Sequence, residues 1–80
     1  MIIRVSNDDI RLGLAGTSFG CPVARAIHRQ FPELYISVLP SGIRLGSAPR
    51  VKTPCRVQRF IRKFDGGEQV APFAFRLKVL

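Results

Sequence analysis

The chain has 80 residues, of which 46% are hydrophobic and 22% charged, and thirteen Lys and Arg against five Asp and Glu leave a formal net charge of +8. That length makes one domain, residues 1–80, with a core small relative to its surface, so a large catalytic cleft is not expected. The apolar content excludes disorder, and the charge points to polyanionic partners: nucleic acid, a ribonucleoprotein, an acidic protein face or anionic lipid.

The chain opens with MIIRVS, a short β-branched run, followed by NDDIRLGL, in which Ser6 or Asn7 can cap a brief helical turn carrying Asp8 and Asp9. MIIRVSNDD lacks the hydrophobic core of a secretory signal, and no apolar run approaches membrane-span length. The expected compartment is therefore the cytoplasm, with no membrane partner, and Cys21 and Cys55 read there as free, reduced thiols. The stretch GLAGTSFGCPVARAI, residues 13–27, has the glycine content of a phosphate-binding loop but ends Gly20-Cys21-Pro22 with no lysine, and its glycines are spaced three and four apart. It reads as a compact connection that uses glycine to turn.

A first helix is expected after Gly20, with Cys21 at the cap, Pro22 at the first position, Val23, Ala26, Ile27 and Phe31 on one face, and Pro32 as its stop. Leu34, Ile36 and Val38 then alternate with Tyr35 and Ser37, turn at Pro40-Ser41-Gly42, and resume with Ile43 and Leu45: a hairpin, or a three-stranded meander ending at Val51. The second helix is the clearest element, with Thr53 as cap, Pro54 at the first position, and Val57, Phe60, Ile61 and Phe64 at i, i+3, i+4, i+7 until Asp65-Gly66-Gly67 ends it. Last comes APFAFRLKVL, with Phe73, Phe75, Leu77 and Val79 on one face, a suitable partner for the N-terminal strand. The expectation is a small α+β domain: a four- to five-stranded, mostly antiparallel sheet with two helices packed on one face.

No catalytic constellation is legible. Two cysteines and one histidine are too few and too scattered for a metal site, and two helical turns, roughly 10 Å, separate Cys21 from His28. Cys21 and Cys55 each stand at a helix start, where the dipole lowers a thiol pKa, but no base is placed beside either. Asp8, Asp9, Glu33, Asp65 and Glu68 have ordinary local positions at helix ends and loops. No enzyme activity and no cofactor are expected.

The cations do organise. Arg56, Arg59, Arg62 and Lys63 cover the second helix opposite its apolar stripe with no acid among them, Arg25 and Arg29 do so on the first helix, and Arg44, Arg50 and Lys52 form a second patch on the meander. Like charges at helical spacing cost a few tenths of a kcal/mol per pair, about what a polyanion would compensate. The six Phe sit mostly at core phase, and of the aromatics only Tyr35 is expected on display, which argues against base stacking.

The succession of a short strand, a glycine-containing loop, CPVARAI and the Pro-capped PCRVQRFIRKFDGGEQVAPFAFRL resembles a set of small, uncharacterised phage and prophage proteins, over most of residues 2–78. The resemblance implies a context of anti-CRISPR proteins, type I among them, and other host-takeover inhibitors that bind and block without catalysis. It brings no functional residue with it. Many such inhibitors are acidic mimics of DNA, whereas this chain is basic. The expected function is thus a non-enzymatic inhibitory binding protein that docks its basic helical surface on a host defence ribonucleoprotein, touching protein, RNA or DNA. The alternative is a stand-alone nucleic-acid-binding protein.

Overall fold

A computed structural model of the chain describes residues 1–78. In chain order it contains β1 (Ile2–Val5), α1 (Asn7–Leu12), α2 (Pro22–Gln30), β2 (Ile36–Leu39), β3 (Gly42–Leu45), α3 (Cys55–Asp65) and β4 (Phe73–Arg76). Alternation buries Ile3 and Val5 of β1 and leaves Ile2 and Arg4 exposed. As the final stretch suggested, β4 pairs with β1, antiparallel, with Ile3 opposite Phe75 and Val5 opposite Phe73. Val79 lies outside the described residues.

The middle of the chain forms the hairpin β2–β3, whose paired residues Ile36 with Leu45 and Val38 with Ile43 bury one face. A third strand is reduced to a single bridge between Ile43 and Val51. At the head of β3 a Cβ on Gly42 would meet the stem of Arg50, which crosses there, so a larger residue would displace that side chain.

Among the described residues the four strands make two separate two-stranded sheets, not one sheet of four or five, and there are three helices, not two. The edges explain the separation. On the outer side of β1, Gln30 Nε2 donates to the Ile2 carbonyl at 3.0 Å and an Arg29 NH2 donates to the Arg4 carbonyl at 3.1 Å. On the outer side of β2, the Val38 amide donates to the Ser18 carbonyl at 2.7 Å. Side chains and a loop thus take backbone groups that a neighbouring strand would need. Helix α2 joins the two sheets, lying against both β1 and β2 through its buried Val23, Ala24, Ala26 and Ile27.

Helix α3 buries Val57, Phe60 and Ile61, with Phe64 half-buried beside them. Phe60 meets Phe73 of β4 at a centroid distance of 4.7 Å, and Phe64 stacks on Phe60 at 6.2 Å. Thr53, expected to cap this helix, does not: Pro54 occupies the cap position and no side chain caps it. The Thr53 hydroxyl is drawn instead to the Leu39 carbonyl at 2.6 Å, which ties the start of α3 to the end of β2, and Thr53 is fully buried there.

One charge is inside. Asp9 is fully buried. It completes a capping box with Ser6, whose amide donates to Asp9 Oδ2 at 2.9 Å while the Asp9 amide donates to Ser6 Oγ at 3.2 Å. Arg29, from α2, grips the same carboxylate with both guanidinium ends, at 2.8 and 2.7 Å. Burial alone pushes the Asp9 carboxyl up, but the Arg29 and Ser6 hydrogen bonds and the Arg29 charge outweigh it and hold the carboxyl below its ordinary 3.8.

Two outcomes follow for stability. Because Asp9 has a lower pKa folded than unfolded, the native state binds fewer protons, so the stability it contributes is complete above 3.8 and is lost as pH falls through the depressed folded value. Asp9→Asn should destabilise by about 1–3 kcal/mol at neutral pH and lose that acid-dependent component, which denaturant melts across pH 2–6 would read. Phe60→Ala should cost about 3–5 kcal/mol, enough to unfold much of so small a domain, as measured by circular dichroism melting; a barely destabilised variant would exclude the Phe60–Phe73 contact as the seat of α3.

Candidate functional site

The stripe that seats α3 leaves its other residues to solvent, and Arg56, Arg59, Arg62 and Lys63 are all exposed. Among the described residues none of the four makes an ion pair. Arg56, Arg59 and Lys63 line an open groove of about 410 Å3 together with Phe60, Phe73 and residues 69–72. The Arg56 guanidinium stands 5.7 Å from the centroid of the Phe73 ring, an attraction that holds its charge over the groove. No carboxylate lines this groove.

Not every cation here needs a ligand to explain it. Arg62 and Lys63 lie in the last turn of α3, where the helix dipole favours them. Arg56 lies in the first turn, where the dipole disfavours it, and that turn holds no acid. Its place costs a few tenths of a kcal/mol, which the contact with the Phe73 ring is large enough to offset.

The cations expected on α2 are differently employed. Arg29 is committed to Asp9 and the Arg4 carbonyl. Arg25 approaches Asp9 only through Nε, at 3.8 Å. On the meander, Arg44 donates from Nε to the Ala48 carbonyl at 3.4 Å, Arg50 lays its stem over Gly42, and Lys52 edges a separate cleft beside Val51, Pro54, Arg76, Leu77 and Lys78. The structure thus gathers Arg56, Arg59 and Lys63 on one groove, leaves Arg62 beside it, and pairs the still half-exposed Arg29 with the buried Asp9.

The two thiols differ in burial. Cys21 caps α2, its Sγ accepting from the Ala24 amide at 3.4 Å, and it is buried. Burial pushes its thiol above the ordinary value, with the Asp65 charge adding to this and neighbouring backbone amides opposing it, so the lowering expected from the helix start does not prevail. Cys55 is exposed at the start of α3. Among the described residues no three His, Cys, Asp or Glu side chains cluster as metal ligands, and no helix is long and apolar enough to cross a membrane.

One further aromatic is exposed, against the expectation that only Tyr35 is on display. Phe19 is 64% exposed, as much as Tyr35, and Leu14 of the same loop is 58% exposed. Phe19 stands between Ser18 and Gly20 and belongs to no apolar period, and that isolation is the signal that sets it apart from the core phenylalanines. Comparison with protein-family models, with curated proteins and with solved structures finds no match.

Burial separates the two cysteines in reactivity. In the native protein the exposed Cys55 should react with a maleimide, while the buried Cys21 should react only after denaturant is added. Mass spectrometry of a time course reads both, and rapid double labelling of the native protein would place Cys21 at the surface.

Proposed function

We propose that the chain is a non-enzymatic binding protein of the phage inhibitor kind, which acts in the cytoplasm of a host cell. In this reading the basic face of α3 docks on a nucleic-acid-handling defence complex. The observation that carries the reading is the placement of Arg56, Arg59 and Lys63 along one groove with no carboxylate in it. A surface kept only for solubility mixes signs and gains from i, i+4 pairs, whereas this one accepts like-charge repulsion and a cation against the helix dipole. The charge is spread along a helix and not focused in a pocket, so an extended polyanionic surface fits it better than a small anion. The resemblance to small phage proteins supplies the inhibitory context. A stand-alone nucleic-acid-binding role is supported by the same cations and differs in its ligand.

Reversing Arg59 and Arg62 to Glu should leave stability within about 0.5 kcal/mol and weaken binding far more. Loss mainly in association rate marks a rim; a loss of roughly 2–5 kcal/mol marks a desolvated contact. Salt distinguishes the ligands, since neutralising about six phosphates lowers affinity on the order of a thousandfold between 50 and 200 mM salt, and a protein surface gives a shallower slope. The parent and reversed proteins are titrated against nucleic acid and against the complex captured from host lysate. If the reversed protein binds both as well as the parent, the α3 face is only solvated, and the patch of Arg44, Arg50 and Lys52 becomes the place to look.

A further inference from the structure

The loop of residues 13–20 has no part in the α3 groove, yet it carries a surface of its own. Phe19 and Tyr35, each 64% exposed, line one cleft of about 390 Å3 together with Leu34, Arg25 and His28, and no carboxylate lines it. Leaving a phenylalanine in water forgoes the ~1.5–3 kcal/mol that burying it would contribute. The exposure does not come from a slack chain. The Leu14 amide donates to the Gly20 carbonyl at 2.8 Å, Thr17 Oγ1 donates to the Leu14 carbonyl at 2.9 Å, and the Gly20 amide donates to Thr17 Oγ1 at 3.2 Å. The loop is also tied outward, by the Gly16 amide to Asp65 Oδ1 at 3.0 Å and by the Ser18 carbonyl, which accepts from Val38 of β2 at 2.7 Å. The Tyr35 carbonyl accepts from the Gly46 amide at 2.7 Å. Both rings are therefore mounted on hydrogen-bonded backbone.

The cation in this cleft is surplus to the fold. Asp9 already receives two hydrogen bonds from Arg29, and Arg25 Nε, 3.8 Å from it, has no hydrogen-bond partner among the described residues. Two arginines face one carboxylate, and the excess positive charge borders the aromatic pair. An apolar protein side chain would cover the rings and leave that charge unanswered. A nucleotide supplies a flat π-face and an anion in one unit.

We propose that the Phe19–Tyr35 cleft is a stacking site for unpaired bases of single-stranded nucleic acid, with Arg25 and His28 beside the phosphates of the same strand. The site stands independently of the α3 reading. Tyr35 is the only tyrosine and the chain has no tryptophan, so intrinsic emission reports this cleft alone. The full chain is titrated with a short oligothymidylate, with an abasic deoxyribose-phosphate strand of the same length, and with duplex DNA. Expected is saturable quenching by oligothymidylate and little by the other two. Phe19→Ala should weaken strand affinity on the order of ten- to a hundredfold with an unchanged melting midpoint. Phe19→Leu, which keeps apolar bulk without a ring, should weaken it comparably. The Arg59→Glu, Arg62→Glu protein should retain quenching at saturation whatever its affinity, which keeps the two sites distinguishable. Equal quenching by the abasic strand, or parent-like strand binding by Phe19→Ala or Phe19→Leu, overturns the proposal. So does a Phe19→Ala protein that binds the strand normally but loses a protein partner, because the cleft then belongs to that partner.

Discussion

The buried carboxylate of Asp9 is the constraint on which the arrangement of the first half of the chain depends. A charge that is fully out of water must be met on every side. Here the Ser6 amide and the two ends of the Arg29 guanidinium meet it. Those contacts fix the start of α1 against the side of α2, and the second bond of the Arg29 NH2, to the Arg4 carbonyl, fixes both against β1. One side chain therefore sets the mutual position of three elements. It also closes part of the β1 edge, which is one reason the hairpin β2–β3 forms a sheet of its own.

Once α2 is fixed in this way, its apolar face has two jobs. It covers β1 on one side and β2 on the other, so the two small sheets share a core through a helix and not through hydrogen bonds. The second half of the chain is secured by different means: the Thr53 hydroxyl on the Leu39 carbonyl holds the start of α3, and the Phe60–Phe73 contact holds its middle to β4. Since β4 pairs with β1, the two halves meet at the sheet that Arg29 borders.

Local periodicity made much of this legible. The Cys-Pro start of α2, the apolar stripe of α3, the alternation of β4 and its pairing with β1 all depend on residues a few positions apart or on a single shared apolar face. What was not legible depends on contacts with no period. Arg29 lies at a position that would be solvated on an isolated helix, and its partner Asp9 is twenty residues away. The two-sheet division follows from side chains occupying strand edges, and strand composition does not encode that. Thr53 had the right chemistry for a cap and used it on a distant carbonyl. At the candidate site, the α3 cations were visible as the complement of the stripe, but the pairing of Arg29 with Asp9 and the display of Phe19 were not. The first needs the location of a buried acid, and the second needs a loop whose own hydrogen bonds keep a ring out of the core.

Charge distribution connects fold to function. The carboxylates that form ion pairs among the described residues, Asp8 with Arg11 and Asp9 with Arg29 and Arg25, both belong to α1. Asp65, at the end of α3, accepts from the Gly16 amide. Three of the five acids, Asp8, Asp9 and Asp65, are thus engaged in local structure, and among the described residues the cations of α3 make no ion pair. A surface with unanswered charge of one sign produces a field that reaches beyond contact distance, to about 8 Å at physiological ionic strength, and it speeds encounter with an oppositely charged partner before any contact forms. Specificity needs something shorter in range. If the proposed docking and stacking readings hold, the exposed rings of Phe19 and Tyr35 and the phenylalanines lining the α3 groove are the groups with the shape for it. Long-range attraction and short-range discrimination would then fall to different atoms, and a substitution that alters one should leave the other measurable.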